Sequence, residues 1–278
     1  MPARTRSAQR KTEAELPYAE LLCLEERKSV PGRPATSEMQ DYFRIRRHVE
    51  PALLYQEGEP CGLVHLIASG RVRLTAKARG NESTLVELLG PGEFFGNLDG
   101  LADFRCVDSA LVEPLSEIWT IDENLFQLLI HSRASVAQEF LHSLSARMMG
   151  QKRRLFWHAN HDVPMRLARA LVELTERFGV PHPKTGEYAL PGISQQDLAD
   201  YIGSVRTFIS TILTDLRRAG IVTLLHRTLF IQNRRHLYEI AGLPMPAAAT
   251  TTTPEAAGDD DSARKRSARA VARERSAG

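Results

Sequence analysis

Cysteine is scarce: Cys23, Cys61 and Cys106 are the only thiols in 278 residues. They are too few and too scattered for a disulfide framework, and their spacing offers no zinc site, so a reducing cytoplasm is the expected setting. The same count disfavours an iron–sulfur cluster held by about four thiolates. No apolar run reaches the length of a membrane span, and the N-terminus carries Arg4, Arg6, Arg10 and Lys11 without the apolar core of a signal peptide. Charge of one sign is lacking too. The 36 Lys and Arg residues against 34 Asp and Glu leave a formal charge of +2, so a case for nucleic acid must rest on where the charges lie. Paired carboxylates, a phosphate-binding loop, metal-ligand spacing and a nucleophile motif are all missing, which leaves no catalytic reading and no metal site.

What is present falls into segments of different texture. Residues 1–38, rich in Arg, Lys, Glu, Ser and Pro, read as a disordered arm. From Ala52 short β runs follow one another, and RVRLTAK sets Val72, Leu74 and Ala76 against Arg71, Arg73, Thr75 and Lys77, the period of a half-buried strand. Gly58, Gly70, Gly80-Asn81 and Gly90-Pro91-Gly92 punctuate the runs as turns. Strands this short at this spacing predict a small antiparallel barrel or jelly roll over 39–134. A long helix is expected over 135–161. Within it Ala137, Leu141, Leu144, Met148, Gln151, Leu155 and His158 alternate steps of four and three, the seam of a two-stranded coiled coil. Val136 and Phe140, off that seam, are left to pack on the roll. The composition shifts again after Leu243. The low-complexity stretch, an acidic step at Asp259–Asp261 and a basic end make 243–278 either a solvated tail or a source of sequence-independent phosphate contacts.

Gly192–Ile221 is the most legible stretch. Ser194 is a candidate N-cap with Asp197 three residues on. A first helix runs from Gln195 to about Ile202, Gly203 permits a sharp turn, and a second helix starts at Ser204 or Val205. Val205, Ile209, Ile212, Leu213 and Leu216 form its apolar stripe. Arg206, Thr207, Ser210, Thr211 and Thr214 occupy the other face, and such short hydrogen-bonding side chains suit a helix in the major groove of DNA. The sequence IVTLLHRTLFIQN, with His226-Arg227 between two apolar runs, predicts a β-hairpin wing. The domain over 162–242 is thus expected to be a winged helix-turn-helix, its first helix capped by Asp162, and the chain as a whole to be of the α+β class.

The turn glycines Gly58, Gly70, Gly90-Pro91-Gly92 and Phe95-Gly96, followed by the long helix, the helix-turn-helix and the wing, resemble the cAMP receptor protein/FNR family of bacterial transcription regulators. The likeness spans about residues 50–240. It implies a homodimer joined through Leu141, Leu144, Met148, Gln151 and Leu155, double-stranded DNA as partner, and RNA polymerase as a further one. Arg206 matches the family's first base-reading arginine, while Thr207 and Thr211 stand where the family carries a glutamate and a second arginine. With Ser210 they would make lighter contacts. Ser194, Gln195, Gln196, Ser204, Arg217, Arg218, His226 and Arg227 are candidates for positioning on the DNA backbone.

Members that bind cyclic nucleotides offer a glutamate to the ribose and an Arg-Ser or Arg-Thr pair to the phosphate. After Gly96 the glutamate's place is taken by Asn97, and Asp108-Ser109 stand where the pair would be. Gln151 and Lys152 replace the adenine-facing hydroxyls. A carboxylate repels a phosphate, so cAMP is not expected to bind in the usual way and no cofactor is assigned. A pocket rebuilt around Arg105, another anion or cyclic dinucleotide on Arg71, Arg73, Lys77 or Lys152, a haem on His65 or Cys61, and no ligand at all stay open. A competing reading is a roll that acts through protein contacts without DNA.

Overall fold

The computed structural model describes residues 40–78, 83–98, 105–182, 187–225 and 228–246. The N-terminal arm, the Gly80-Asn81 turn, the wing tip at His226-Arg227 and the chain beyond residue 246 lie outside the described residues. The roll contains β1 (Arg44–His48), β2 (Ala52–Tyr55), β3 (Leu63–Ser69), β4 (Val72–Lys77), β5 (Ser83–Leu89), β6 (Phe94–Gly96), β7 (Ser109–Val112) and β8 (Ser116–Asp122). They form two four-stranded antiparallel sheets, ordered β1-β8-β3-β6 and β2-β7-β4-β5.

β3 and β8 are buried on both faces, which hides any two-residue period. Ile67 and Ile118 turn toward the second sheet, where they meet Val72, Leu74, Leu89 and Phe95. Val64, Leu66, Trp119 and Ile121 turn outward onto α1 (Glu123–Ser132) and α2 (Ala134–Asn160). Phe140 meets Phe94 and Phe126 there edge to face, with centroids 5.4 and 5.2 Å apart, and Val136 is buried beside them. β1, with the sequence RIRRH, was not expected as a strand. It carries no alternation, because it is an edge strand of exposed charges paired only to β8, a composition that discourages edge-to-edge pairing.

Asp162 caps α3 (Val163–Phe178) by accepting from the Met165 N–H at 3.0 Å, with Pro164 in the tolerant first turn. Next come β9 (Val180–Pro181), β10 (Tyr188–Pro191), α4 (Gln195–Ile202), α5 (Arg206–Arg218), the hairpin β11 (Val222–Leu225) and β12 (Thr228–Ile231), and α6 (Arg234–Ala241). The wing is broader than a hairpin, since β10 and β9 extend it to the order β11-β12-β10-β9. One residue of the expected stripe is misplaced: Val205 is the N-cap of α5 and is 64% exposed, while Ile209, Ile212, Leu213 and Leu216 are buried. The helix therefore starts at Arg206, and Ser204 belongs to the turn.

The roll and the helix-turn-helix are in direct contact. Arg73 of β4 forks onto Asp197 at 2.5 and 2.9 Å and also donates to the Gly192 carbonyl, while Arg71 donates to the Pro191 carbonyl at 2.8 Å. Glu113 pairs with both arginines. Asp200 accepts from the Leu85 N–H at 2.9 Å, and Arg177 donates to the Leu88 carbonyl at 3.1 Å. Arg71 and Arg73 are thus committed to interdomain bonds and are not a free anion site.

Candidate DNA-reading helix and effector cavity

α4 starts on a complete capping box. Ser194 Oγ accepts from the Asp197 N–H at 3.1 Å, and Asp197 Oδ2 accepts from the Ser194 N–H at 2.7 Å. Burial works to raise the Asp197 pKa, but bonds from Arg73 and Ser194 outweigh it and hold the carboxyl below its ordinary value. Gly203 then closes the helix in the left-handed region at φ 59, which allows the chain to turn into α5. With its buried side facing α4 and β11, α5 shows the solvent Arg206, Thr207, Phe208, Thr211, Arg217 and Arg218, with Ser210 and Thr214 half-buried. Arg206 has no hydrogen bond or ion pair among the described residues, and neither has Arg217, whereas Arg218 pairs with Asp215 at 3.2 Å. Of the backbone-positioning candidates, the Ser194 hydroxyl serves as cap and Gln196 donates to Asp200 at 2.7 Å. Gln195 is half-buried at the helix start, and Arg227 lies outside the described residues.

A cavity of about 220 Å³ opens between the second sheet and α2, lined by Tyr55, Leu74, Phe95, Gly96, Leu98, Cys106, Val107, Asp108 and Arg147. Gly96 is required here: at φ 94 an added Cβ would lie 2.4 Å from the Leu63 carbonyl oxygen. Of the six residues expected at a pocket, only Gly96 and Asp108 line it. Asn97 is buried and donates to Glu123, so it points elsewhere. Ser109 accepts from the Glu57 N–H at 2.9 Å. Lys152 and Gln151 are exposed on α2, the latter leaning toward Glu87 at 3.5 Å. Burial pushes the Asp108 pKa up, despite a bond from the Tyr55 hydroxyl at 3.3 Å and the nearby Arg147. Among the described residues the cavity's one guanidinium, Arg147, is itself bound to the buried carboxylate of Glu87 at 2.6 Å.

The site residues missed from sequence are Tyr55, Glu87 and Arg147. A signal for Arg147 existed: Phe140 faces the roll, and a step of seven along α2 reaches Arg147 and a second step reaches Arg154. Arg154 bonds Glu87 at 3.5 Å and the Tyr201 hydroxyl of α4 at 2.9 Å. Glu87 could not be singled out, because an acid in an alternating strand reads as a solvent-facing position.

The opposite side of α2 carries Leu141, Met148 and Leu155, which are 61%, 50% and 68% exposed. Leu144 departs from the expected seam, being half-buried against the core beneath the roll. No helix among the described residues is long and apolar enough to cross a membrane, and no group of three His, Cys, Asp or Glu among them is placed to hold a metal.

Residues 46–133 match the cyclic nucleotide-binding domain, and residues 165–240 match the Crp-like helix-turn-helix domain. The chain belongs to the Crp/Fnr family of transcription regulators. A CRP-like cAMP-activated global transcriptional regulator of Mycobacterium tuberculosis is 24% identical over 203 residues, covering 73% of this chain and 88% of its own. The cyclic AMP receptor protein of Thermus thermophilus is 27% identical over 200 residues, covering 72% and 89%. Among solved structures, a Crp/Fnr-family transcriptional regulator of Thermus thermophilus superposes with a TM-score of 0.61 at 21% identity, covering 72% of this chain and 98% of its own. As a Crp/Fnr member the chain is a DNA-binding transcription regulator with an antiparallel roll and a C-terminal helix-turn-helix.

Proposed function

We propose that this Crp/Fnr regulator works as a cytoplasmic homodimer that reads the major groove with α5, and that cAMP does not control it in the family's ordinary way. The observation that carries the reading is the outward face of α5: Arg206 stands at its N-terminal end, exposed and without a partner among the described residues, where a recognition helix meets base edges. A bidentate bond from Arg206 to a guanine is worth about 1–3 kcal/mol of discrimination. The exposed stripe Leu141–Met148–Leu155 supports the dimer, since a partner helix would cover it and would set two recognition helices about 34–36 Å apart. RNA polymerase is the further partner that such a regulator would contact.

The effector half of the proposal rests on charge. Two relatives carry cAMP in their names, but in this chain the cavity wall holds Asp108, and Arg147 is already neutralised by Glu87. A cyclic phosphate entering here would face one carboxylate and would have to displace another from its guanidinium. The residues present do not fit that ligand. The test is selection of a random duplex pool on the purified full chain at near-physiological salt, with and without cAMP. A palindromic consensus that forms equally without cAMP is expected. A pool that stays random in both arms refutes the DNA reading, and a consensus that forms only with cAMP refutes the effector reading.

A further inference from the structure

Phe208 is unexpected on a helix whose core face is already complete. Ile209, Ile212, Leu213 and Leu216 are buried at i, i+3, i+4 and i+7, which is the full stripe a surface helix needs. Phe208 is nevertheless 44% exposed, and Val205 even more so. Val205, the N-cap, and Phe208, in the first turn of α5, flank Arg206 and Thr207, in the part of a recognition helix that comes closest to the bases.

The polar residues further along do not offset this apolar character. Thr211 Oγ1 donates to the Thr207 carbonyl at 3.2 Å, and Thr214 Oγ1 donates to the Ser210 carbonyl at 2.8 Å. With their protons engaged, these hydroxyls offer only lone pairs and methyl groups. Arg206 therefore brings strong donors, while Val205, Phe208 and the threonine methyls bring hydrocarbon. Among base edges in the major groove, hydrocarbon has one counterpart, the C5-methyl group of thymine, which 5-methylcytosine shares.

We propose that Val205 and Phe208 form a subsite for a 5-methylpyrimidine, so that each half-site carries a thymine close to the guanine read by Arg206. This rests on α5 being the base-reading helix. The methyl of thymine and the edge of the phenyl ring leave water together, and loss of one methyl contact corresponds to about fourfold in affinity, or roughly sixteenfold when both half-sites of a palindrome lose it.

The experiment uses the full-length protein and its selected operator, with each thymine of a half-site replaced in turn by deoxyuridine. The replacement deletes one methyl group and keeps base pairing. At one or two thymines beside the Arg206-dependent guanine, deoxyuridine should weaken wild-type binding about fourfold. The penalty should disappear in Phe208→Ala or Val205→Ala. Phe208→Leu, which keeps an apolar contact and protects the fold, should retain part of it. The proposal is overturned if deoxyuridine is neutral at every thymine, or if both alanine variants keep the wild-type penalty, which would place the methyl contact on the threonines. Failure of the underlying reading looks different: Arg206→Ala would then leave the selected sequence unchanged.

Discussion

Acid should loosen the roll through one residue, His65. Its ring lies between the two sheets, stacked on Phe95 with centroids 4.9 Å apart and on Tyr55 at 5.9 Å, and Nδ1 is 2.9 Å from Thr120 Oγ1. Burial lowers its pKa from 6.5 to about 4. Between those values the unfolded chain binds a proton that the folded chain refuses, so stability rises with pH there. His65 costs the fold nothing above pH 6.5, and its penalty grows as pH falls toward 4. At ~1.4 kcal/mol per pH unit the loss over this window is about 3 kcal/mol, a large share of the roughly 5–15 kcal/mol of a typical domain. Urea unfolding followed by tryptophan fluorescence can measure it, because Trp119 reports on the roll and Trp157→Phe silences the tryptophan of α2. The comparison is wild type against His65→Asn at fixed protein concentration, from pH 7.5 to 4. His65→Asn will be less stable overall, since it loses the stack, but its stability should fall less steeply with acid. His48 and His158, whose pKa values are also lowered, first by burial, remain in both proteins and cancel. Parallel pH profiles in the two proteins would refute the reasoning.

Three further experiments test other layers. Leu141→Glu with Leu155→Glu places two carboxylates on the exposed stripe of α2; light scattering should report a monomer and DNA affinity should drop at least tenfold, and an intact dimer would remove α2 from the interface. Ser194→Ala breaks the capping box of α4 and should cost about 1 kcal/mol in chemical denaturation, with a null effect counting against the cap. Arg217→Ala should weaken all DNA sequences alike and reduce the salt slope by about one, in contrast to Arg206→Ala, which should relax preference at one position per half-site; identical behaviour of the two would refute the division of roles.

Local periodicity made the helix-turn-helix readable, because Ser194, Asp197 and Gly203 each act on neighbours within a few residues. Val205 was misread for the same reason: four-residue spacing places it on the stripe, but the helix begins one residue later and leaves it outside. The roll's strands were legible where glycine turns bounded them, and β1 was not, since an edge strand made of arginines shows no buried side. The cavity was the least legible part. Gly96 and Asp108 could be placed by resemblance, whereas Tyr55, Glu87 and Arg147 are brought together from β2, β5 and α2, and nothing in their immediate neighbours announces the meeting. Arg71 and Arg73 show the same limit, because their partners in the DNA-binding domain lie more than a hundred positions away.

Asp197 illustrates how much one short side chain can hold in place. Its two oxygens accept from the Ser194 backbone and twice from Arg73, so the group that starts α4 also fastens the roll to the DNA-reading domain. A substitution at this position cannot be scored as a helix defect or as a docking defect alone. The two contributions separate only in a thermodynamic cycle with Arg73, where the part that survives removal of the arginine belongs to the helix and the remainder measures the coupling between the domains. Swinging the domains apart would leave the cap intact and return the carboxyl toward its ordinary acidity, giving that motion a proton count of its own.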